Sequence, residues 1–553
     1  MLPLPTLARN LGIDPAHLIP HGHDKAKVAL EALDAARARR PRPGRLILVS
    51  AITPTPAGEG KTVTSIGLAQ GLRALGRSAA LALRQPSMGP VFGRKGGATG
   101  GGLSTLQPAA DINLHFTGDF HAVTAAHNLL AAVIDNALHH GRTRLAPGGV
   151  LWKRVLDTND RALRTVRLAP GAADGRESGF DITAASEIMA ILCLAASRDD
   201  LRARLERLVV GFTAEGEPVR AAEFRVTGAL MALLRDALLP NLVQSAEGVP
   251  AFVHGGPFAN IAHGCNSVLA TRMALAHADY AVTEAGFAFD LGGEKFIDIK
   301  CRQSGLAPDA IVIVATLRAL KLHGGAARDA LAAPAPDALR RGLENLRAHL
   351  DAAATFRRPV VVALNHFPAD TDAELALVHD FCAAGPRPVP CALSQAFARG
   401  GAGATALAAA VLSRLDDGAA PAPAPCPPLD YVYPDELPVA GKIDAIARRI
   451  YGADGADILP GAAARLALFE RAGYGRLPVC MAKTQDSLTD DPKRPGRPRG
   501  FRITVRDFEL AAGAGFIVAL TGGMLRMPAL PRTPAAEKID LAPDGAITGI
   551  TGT

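Results

Sequence analysis

The sequence predicts an α/β protein with a mostly parallel sheet at its core, and three observations predict it. Apolar, β-branched runs of strand length recur at 46–52, 311–315 and 360–364, with segments of helical period between them. That is the pattern of parallel strands covered on both faces. Each run ends in glycine or polar residues, which a parallel sheet gathers on one rim. The first of them leads through Thr53-Pro54-Thr55-Pro56-Ala57-Gly58-Glu59-Gly60-Lys61-Thr62 into a helical period, the strand–loop–helix order of a phosphate cradle. The predicted class is a P-loop NTPase-like parallel sheet core at 1–110 and 241–345, with an inserted domain at 111–240 and a C-terminal α/β domain at 346–553.

Composition narrows the function classes. The chain has 553 residues, 48% hydrophobic and 20% charged, which suits an ordinary globular protein with ample core. A net charge of +7 is modest over this length, and one basic cluster stands out, Lys493-Arg494-Pro495-Gly496-Arg497-Pro498-Arg499. It reads as a solvated Pro-rich loop, so nucleic-acid binding is not expected. The seven cysteines form no C-x-x-C pair, which points to reduced thiols and a cytoplasmic protein. No signal peptide is visible at the N-terminus, and no uninterrupted apolar run of about 18 residues predicts a membrane span.

In chain order, residues 1–44 read as a helical prelude, with a helix over Asp24 to Arg39 stopped by Pro41-Arg42-Pro43-Gly44. The cradle departs from G-x-x-x-x-G-K-[ST] at Thr55, where glycine is usual. Its backbone amides would face phosphates, with Lys61 as a mobile charge and Thr62 as a Mg²⁺ ligand. Val63, Ile66, Leu68, Ala69, Leu72 and Leu75 give the following helix its apolar face. A second strand, Ser78 to Leu83, delivers Arg84 to the same rim, where a guanidinium would clamp a phosphoryl or acyl-phosphate group. The glycine-dense stretch from Gly93 to Gly102 implies close backbone approach to a ligand.

Helices are expected at Ala122 to His139, Thr183 to Ala196 and Asp199 to Arg207. His115, His121 and His127 are six residues apart, which is not a zinc-ligand spacing. Further strand-like runs at 251–255 and 280–283 lead to Gly256–Gly264 and to Glu284 with its glycines; Thr316 and Asn365 end the later runs. A Pro/Ala linker follows at 419–428, then a helix around Lys442 to Tyr451 and a buried strand from Gly515 to Leu520.

Six blocks together carry a family likeness: TPAGEGKT at 55–62, LRQPSMGPVFGRKGGATGGG at 83–102, DINLHFTGDFHAV at 111–123, GPFANIAHGCNS at 256–267, EAGFAFDLGGEKF at 284–296 and VATLRALKLHGG at 314–325. Over its whole length the chain resembles the ATP-dependent formate–tetrahydrofolate ligases. The resemblance implies MgATP and tetrahydrofolate as substrates, a formyl phosphate intermediate, and room for a monovalent cation. It places the triphosphate on Thr55, Pro56, Ala57, Gly58, Glu59, Gly60, Lys61 and Thr62, with Mg²⁺ at Thr62. It gives Arg84 to formate or formyl phosphate, and the folate pterin to Phe367 and Phe397, with Leu393 and Phe287 at the pocket wall. The partners it implies are small molecules and copies of the chain in a homotetramer.

Two positions depart from the family pattern. Leu103 follows the glycine loop where an aromatic is common, and Phe397 stands where Trp is usual, with less area and no indole N–H. Two other ATP-using classes fit a deviant phosphate loop. A dethiobiotin-synthetase-like ligase predicts a much shorter chain, and a partitioning or switch ATPase predicts a basic stripe or amphipathic helix that is absent here.

Overall fold

A computed structural model describes residues 1–56, 58–168, 175–415 and 428–550. Its centre is a 12-stranded sheet. The strands are β1 (Leu18–Pro20), β2 (Ala26–Val28), β3 (Arg45–Ala51), β4 (Ala79–Leu83), β5 (Gly100–Gly101), β6 (Ser104–Gln107), β7 (Asn241–Ser245), β8 (Pro250–Val253), β9 (Tyr280–Glu284), β10 (Ala310–Thr316), β11 (Val360–Asn365) and β12 (Cys391–Ser394). The order is β1-β2-β7-β8-β4-β9-β3-β10-β11-β12, with the β5–β6 hairpin attached at β7. From β8 to β12 every pairing is parallel, and the antiparallel pairings lie at the β1 end.

The chain is therefore a mixed α/β protein with a mainly parallel central sheet. The apolar runs that predict it are buried throughout: all of β9, β10 and β11, and six of the seven residues of β3. Helices cover both faces, which is why these strands lack an alternating polar side. The helices of the chain include α1 (Lys61–Ala74), α2 (Asp119–His139), α3 (Pro336–Ala354), α4 (Asp372–Ala383), α5 (Ala396–Arg399) and α6 (Thr405–Leu415).

Several expected elements shift. The helix expected over Asp24 to Arg39 starts only at Glu31, because Ala26–Val28 is a strand between β1 and β7. Lys27 is 1% exposed and donates to Asp119 Oδ1 at 2.7 Å and to Asn241 Oδ1 at 3.0 Å. Tertiary pairing overrides local helical preference here. The helix expected at Thr183 to Ala196 is Glu187–Leu194, capped by the Ser186 hydroxyl.

A second, 4-stranded sheet spans 456–521, with Phe516–Thr521 as the buried strand expected near Gly515 to Leu520. Most of the Pro/Ala linker lies outside the described residues. Ala396–Leu415 is long and apolar enough, by length and composition, to cross a membrane. In this fold it is broken at Gly400, and Leu407, Ala408 and Val411 pack into the core beside α1.

Candidate active site

The rim formed by the C-terminal ends of β4, β9, β3, β10 and β11 carries the site. α1 begins at Lys61, and Gly60 ahead of it has φ 70°, a left-handed conformation that glycine adopts without strain. A Cβ there would also lie 2.9 Å from Asn365 Nδ2. Three neighbouring strands hold the loop through their last residues. Asn365 of β11 donates to the Glu59 carbonyl at 2.8 Å and accepts from the Thr64 hydroxyl at 2.9 Å. Thr316 of β10 donates to Glu59 Oε2 at 2.6 Å, and Glu59 Oε1 accepts from the Thr55 amide at 2.8 Å. Glu284 of β9 accepts from the Thr62 hydroxyl at 2.9 Å and lies 3.7 Å from Arg84, which follows β4.

These bonds give Glu59 a definite place. Its side chain is turned into the protein, 2% exposed, so it ties the loop shut instead of facing the space where phosphates would lie. Gly58 has φ 79°, Thr55 is half-buried and Pro56 is exposed, whereas Ala57 lies outside the described residues.

The loop is also held from behind. Thr53 bonds to His349 at 3.0 Å, to Asn345 Nδ2 at 3.0 Å and, through its carbonyl, to His323 Nε2 at 2.8 Å. Asn345 also donates to the Gly496 carbonyl at 2.7 Å, and Arg497 pairs with Asp351 at 2.8 Å. The basic cluster at 493–499 is thus anchored at Gly496 and Arg497, not freely solvated along its length.

Electrostatically the site is short of negative charge. Burial lowers the Lys61 ammonium to about 8, with Glu284 opposing the fall and Lys95 and Arg84 adding to it. Burial and Arg84 also lower Lys95, again against Glu284. Three cations therefore gather around Glu284 at the N-terminus of a 14-residue helix, whose free amides attract anions as well. Arg84 is aimed by a bond from its NH1 to the Pro257 carbonyl at 3.1 Å. The Thr62 hydroxyl and Glu284 carboxylate are hard oxygen donors of the kind Mg²⁺ takes alongside phosphate and water.

The four expected folate-wall residues spread along the same rim. Phe287, with φ 56°, sits next to the cations, its ring centroid 6.0 Å from Lys95 Nζ. Phe367 lies just past β11 beneath the Arg318 guanidinium, 4.2 Å from ring centroid to carbon. Leu393 is half-buried on β12, opposite Leu364. Phe397, on α5, is 61% exposed, which a core role does not explain.

The glycine loop supports Phe397. Gly102 has φ 58°, a Cβ there would fall 2.0 Å from the Phe397 carbonyl oxygen, and Leu103 N donates to that oxygen at 2.9 Å. The close approach at this end of the glycine stretch is to the chain's own backbone. Leu103 itself is 51% exposed.

Sequence reading places Glu284, Thr316 and Asn365 on the rim but gives them no task. Polar residues ending fully buried strands are the signal for them. Lys95 is hidden by its setting in a glycine run. His127, one of the three spaced histidines, stacks on Trp152 at 4.2 Å and bonds to Ser186.

A family model described as formate–tetrahydrofolate ligase matches residues 1–551. A formate–tetrahydrofolate ligase of Paracoccus denitrificans (strain Pd 1222) is 54% identical over 553 residues, covering 99% of this chain and 98% of the relative. One of Hyphomonas neptunium (strain ATCC 15444) is 52% identical over 554 residues, covering 99% and 97%.

Proposed function

The chain belongs to the formate–tetrahydrofolate ligase family, and from that premise we propose that it forms 10-formyltetrahydrofolate in two steps. A formate oxygen attacks the γ-phosphorus of MgATP, ADP leaves, and formyl phosphate forms. N10 of tetrahydrofolate then attacks the formyl carbon and phosphate departs. The observation that carries this reading is the group of Lys61, Arg84 and Lys95 around the carboxylate of Glu284 at the start of α1.

In this reading the core is P-loop NTPase-like. Lys61 and the amides of the 55–62 loop hold the triphosphate, and Thr62 holds Mg²⁺. Arg84 and Lys95 neutralise formate and the charge that spreads over the migrating phosphoryl group. Phe367 and Phe397 sandwich the pterin, with Leu393 and Phe287 at its edges. We assign nucleotide binding to 1–110 with 241–345, an insertion to 111–240 and the folate side to 346–553, although β11 and β12 continue the same sheet. A homotetramer, a monovalent cation beside the site and a cytoplasmic setting, which the six described free thiols favour, complete the proposal.

Oxygen labelling tests the intermediate. With ¹⁸O-formate, one labelled oxygen should appear in each phosphate released. Unlabelled phosphate would rule out formyl phosphate.

A further inference from the structure

At the opposite end of the sheet from the rim, where β11 and β12 begin, the surface forms an open pocket of about 900 Å³. Arg347, Arg357, Arg358, Arg387 and Arg414 line it, and among the described residues Asp351 is its one carboxylate. Asp351 is already paired with Arg497 at 2.8 Å, and Arg357 with Asp430 at 2.7 Å. Arg347 lies over the Phe381 ring at 4.4 Å, and among the described residues Arg347, Arg387 and Arg414 make no ion pair. Arg358 is 5% exposed, a guanidinium built into the wall.

The ordinary explanation for such cations is the negative end of a helix. It accounts for Arg414, in the last turn of α6, but not for the loop residues. Arg357 and Arg358 stand between α3 and β11, and Arg387 between α4 and β12. Arg357 also keeps a left-handed backbone, φ 50°, unusual for a long side chain. Leu350, Val360 and Val389 add apolar wall to the pocket.

From this convergence we infer that the pocket is a second anion site, separate from the phosphate loop, for a small phosphate-bearing molecule with an apolar body. Guanidinium forks pair with phosphate oxygens two at a time, and three arginines with no carboxylate partner among the described residues offer more donors than one phosphate uses. The apolar wall would take the rest of the ligand. The site lies at the start of the strands whose far ends hold Asn365 and Leu393, so it is a strand length from the catalytic rim, about 20 Å for a six-residue strand.

Inorganic pyrophosphate, titrated calorimetrically into the full-length protein, is the probe. The wild type should bind two equivalents, only one displaced by ATP, and Lys61→Ala should retain the ATP-insensitive one. Arg387 and Arg414 are exposed, so the double variant R387S/R414S should keep its melting temperature and its ligase rate while that second affinity falls at least tenfold. A single ATP-displaceable equivalent, or a second equivalent unchanged in the double variant, would overturn the inference. So would a change in oligomer size with pyrophosphate binding intact, which would assign these arginines to contact between copies of the chain.

Discussion

The Thr62 hydroxyl donates to Glu284 at 2.9 Å across a separation of 222 residues, and the other oxygen of that carboxylate faces Arg84. One side chain thus links the expected metal ligand to the expected acyl-phosphate clamp. In this state the hydroxyl is occupied by a protein acceptor, and Mg²⁺ would take its oxygen.

Thr62→Val keeps the shape and removes the oxygen. It should lower kcat/KM for MgATP by about 10- to 100-fold, the scale of one lost ligand to the metal-phosphate charge. Retained kcat/KM in steady-state assays would remove Thr62 from the metal site.

The lowered Lys61 gives a proton linkage with a fixed sign. Near a free value of about 8, the unliganded ammonium is largely deprotonated at pH 9. A bound triphosphate restores the charge, so ATP binding at pH 9 should take up close to one proton, and affinity should weaken as pH rises above about 8. Calorimetry in buffers of different ionisation heat measures this uptake. Lys61→Met should abolish it along with about 10²- to 10³-fold of the turnover. Proton release, or none, in the wild type would contradict the placement of Lys61 on the phosphates.

Phe397 separates binding from packing. With the ring 61% exposed, Phe397→Ala should leave the melting temperature within about 2 °C while raising the tetrahydrofolate KM about tenfold. Phe397→Trp should lower that KM, with the ATP KM unchanged in both variants. A large stability loss with no KM change would make it a packing residue.

Glu187 carries a pH-dependent stability term away from the site. Burial raises its carboxyl to about 8, against bonds from the Gly513 and Ala514 amides. The folded state holds this proton where the unfolded chain has lost it, so stability falls as pH rises from about 4.5 to about 8. Glu187→Gln should therefore gain melting temperature relative to the wild type between pH 5 and pH 9. A difference that does not change with pH would show that Glu187 titrates normally.

The central strands were legible because burial on both faces writes continuous apolar runs at 46–52, 311–315 and 360–364. The rim position of Arg84 was legible for a related reason, as a polar residue just after the run at 78–83, and that of Lys61 from a glycine-bearing loop between a strand run and a helical period. Ala26–Val28 was not, since its middle residue is a lysine whose buried partner, Asp119, is 92 residues away. Glu284 and Asn365 were visible as rim residues, yet their tasks depend on neighbours 222 and 306 residues distant. The arginine pocket left no local trace either, because its members come from α3, the loops before β11 and β12, and the end of α6.

On the proposed mechanism, ATP is split here only to join formate to tetrahydrofolate. ADP formation by the purified protein, measured with each co-substrate omitted in turn, tests it most directly. Sustained turnover should require formate and tetrahydrofolate together, with one 10-formyltetrahydrofolate formed per ADP. ADP release at the same rate without either co-substrate would contradict it.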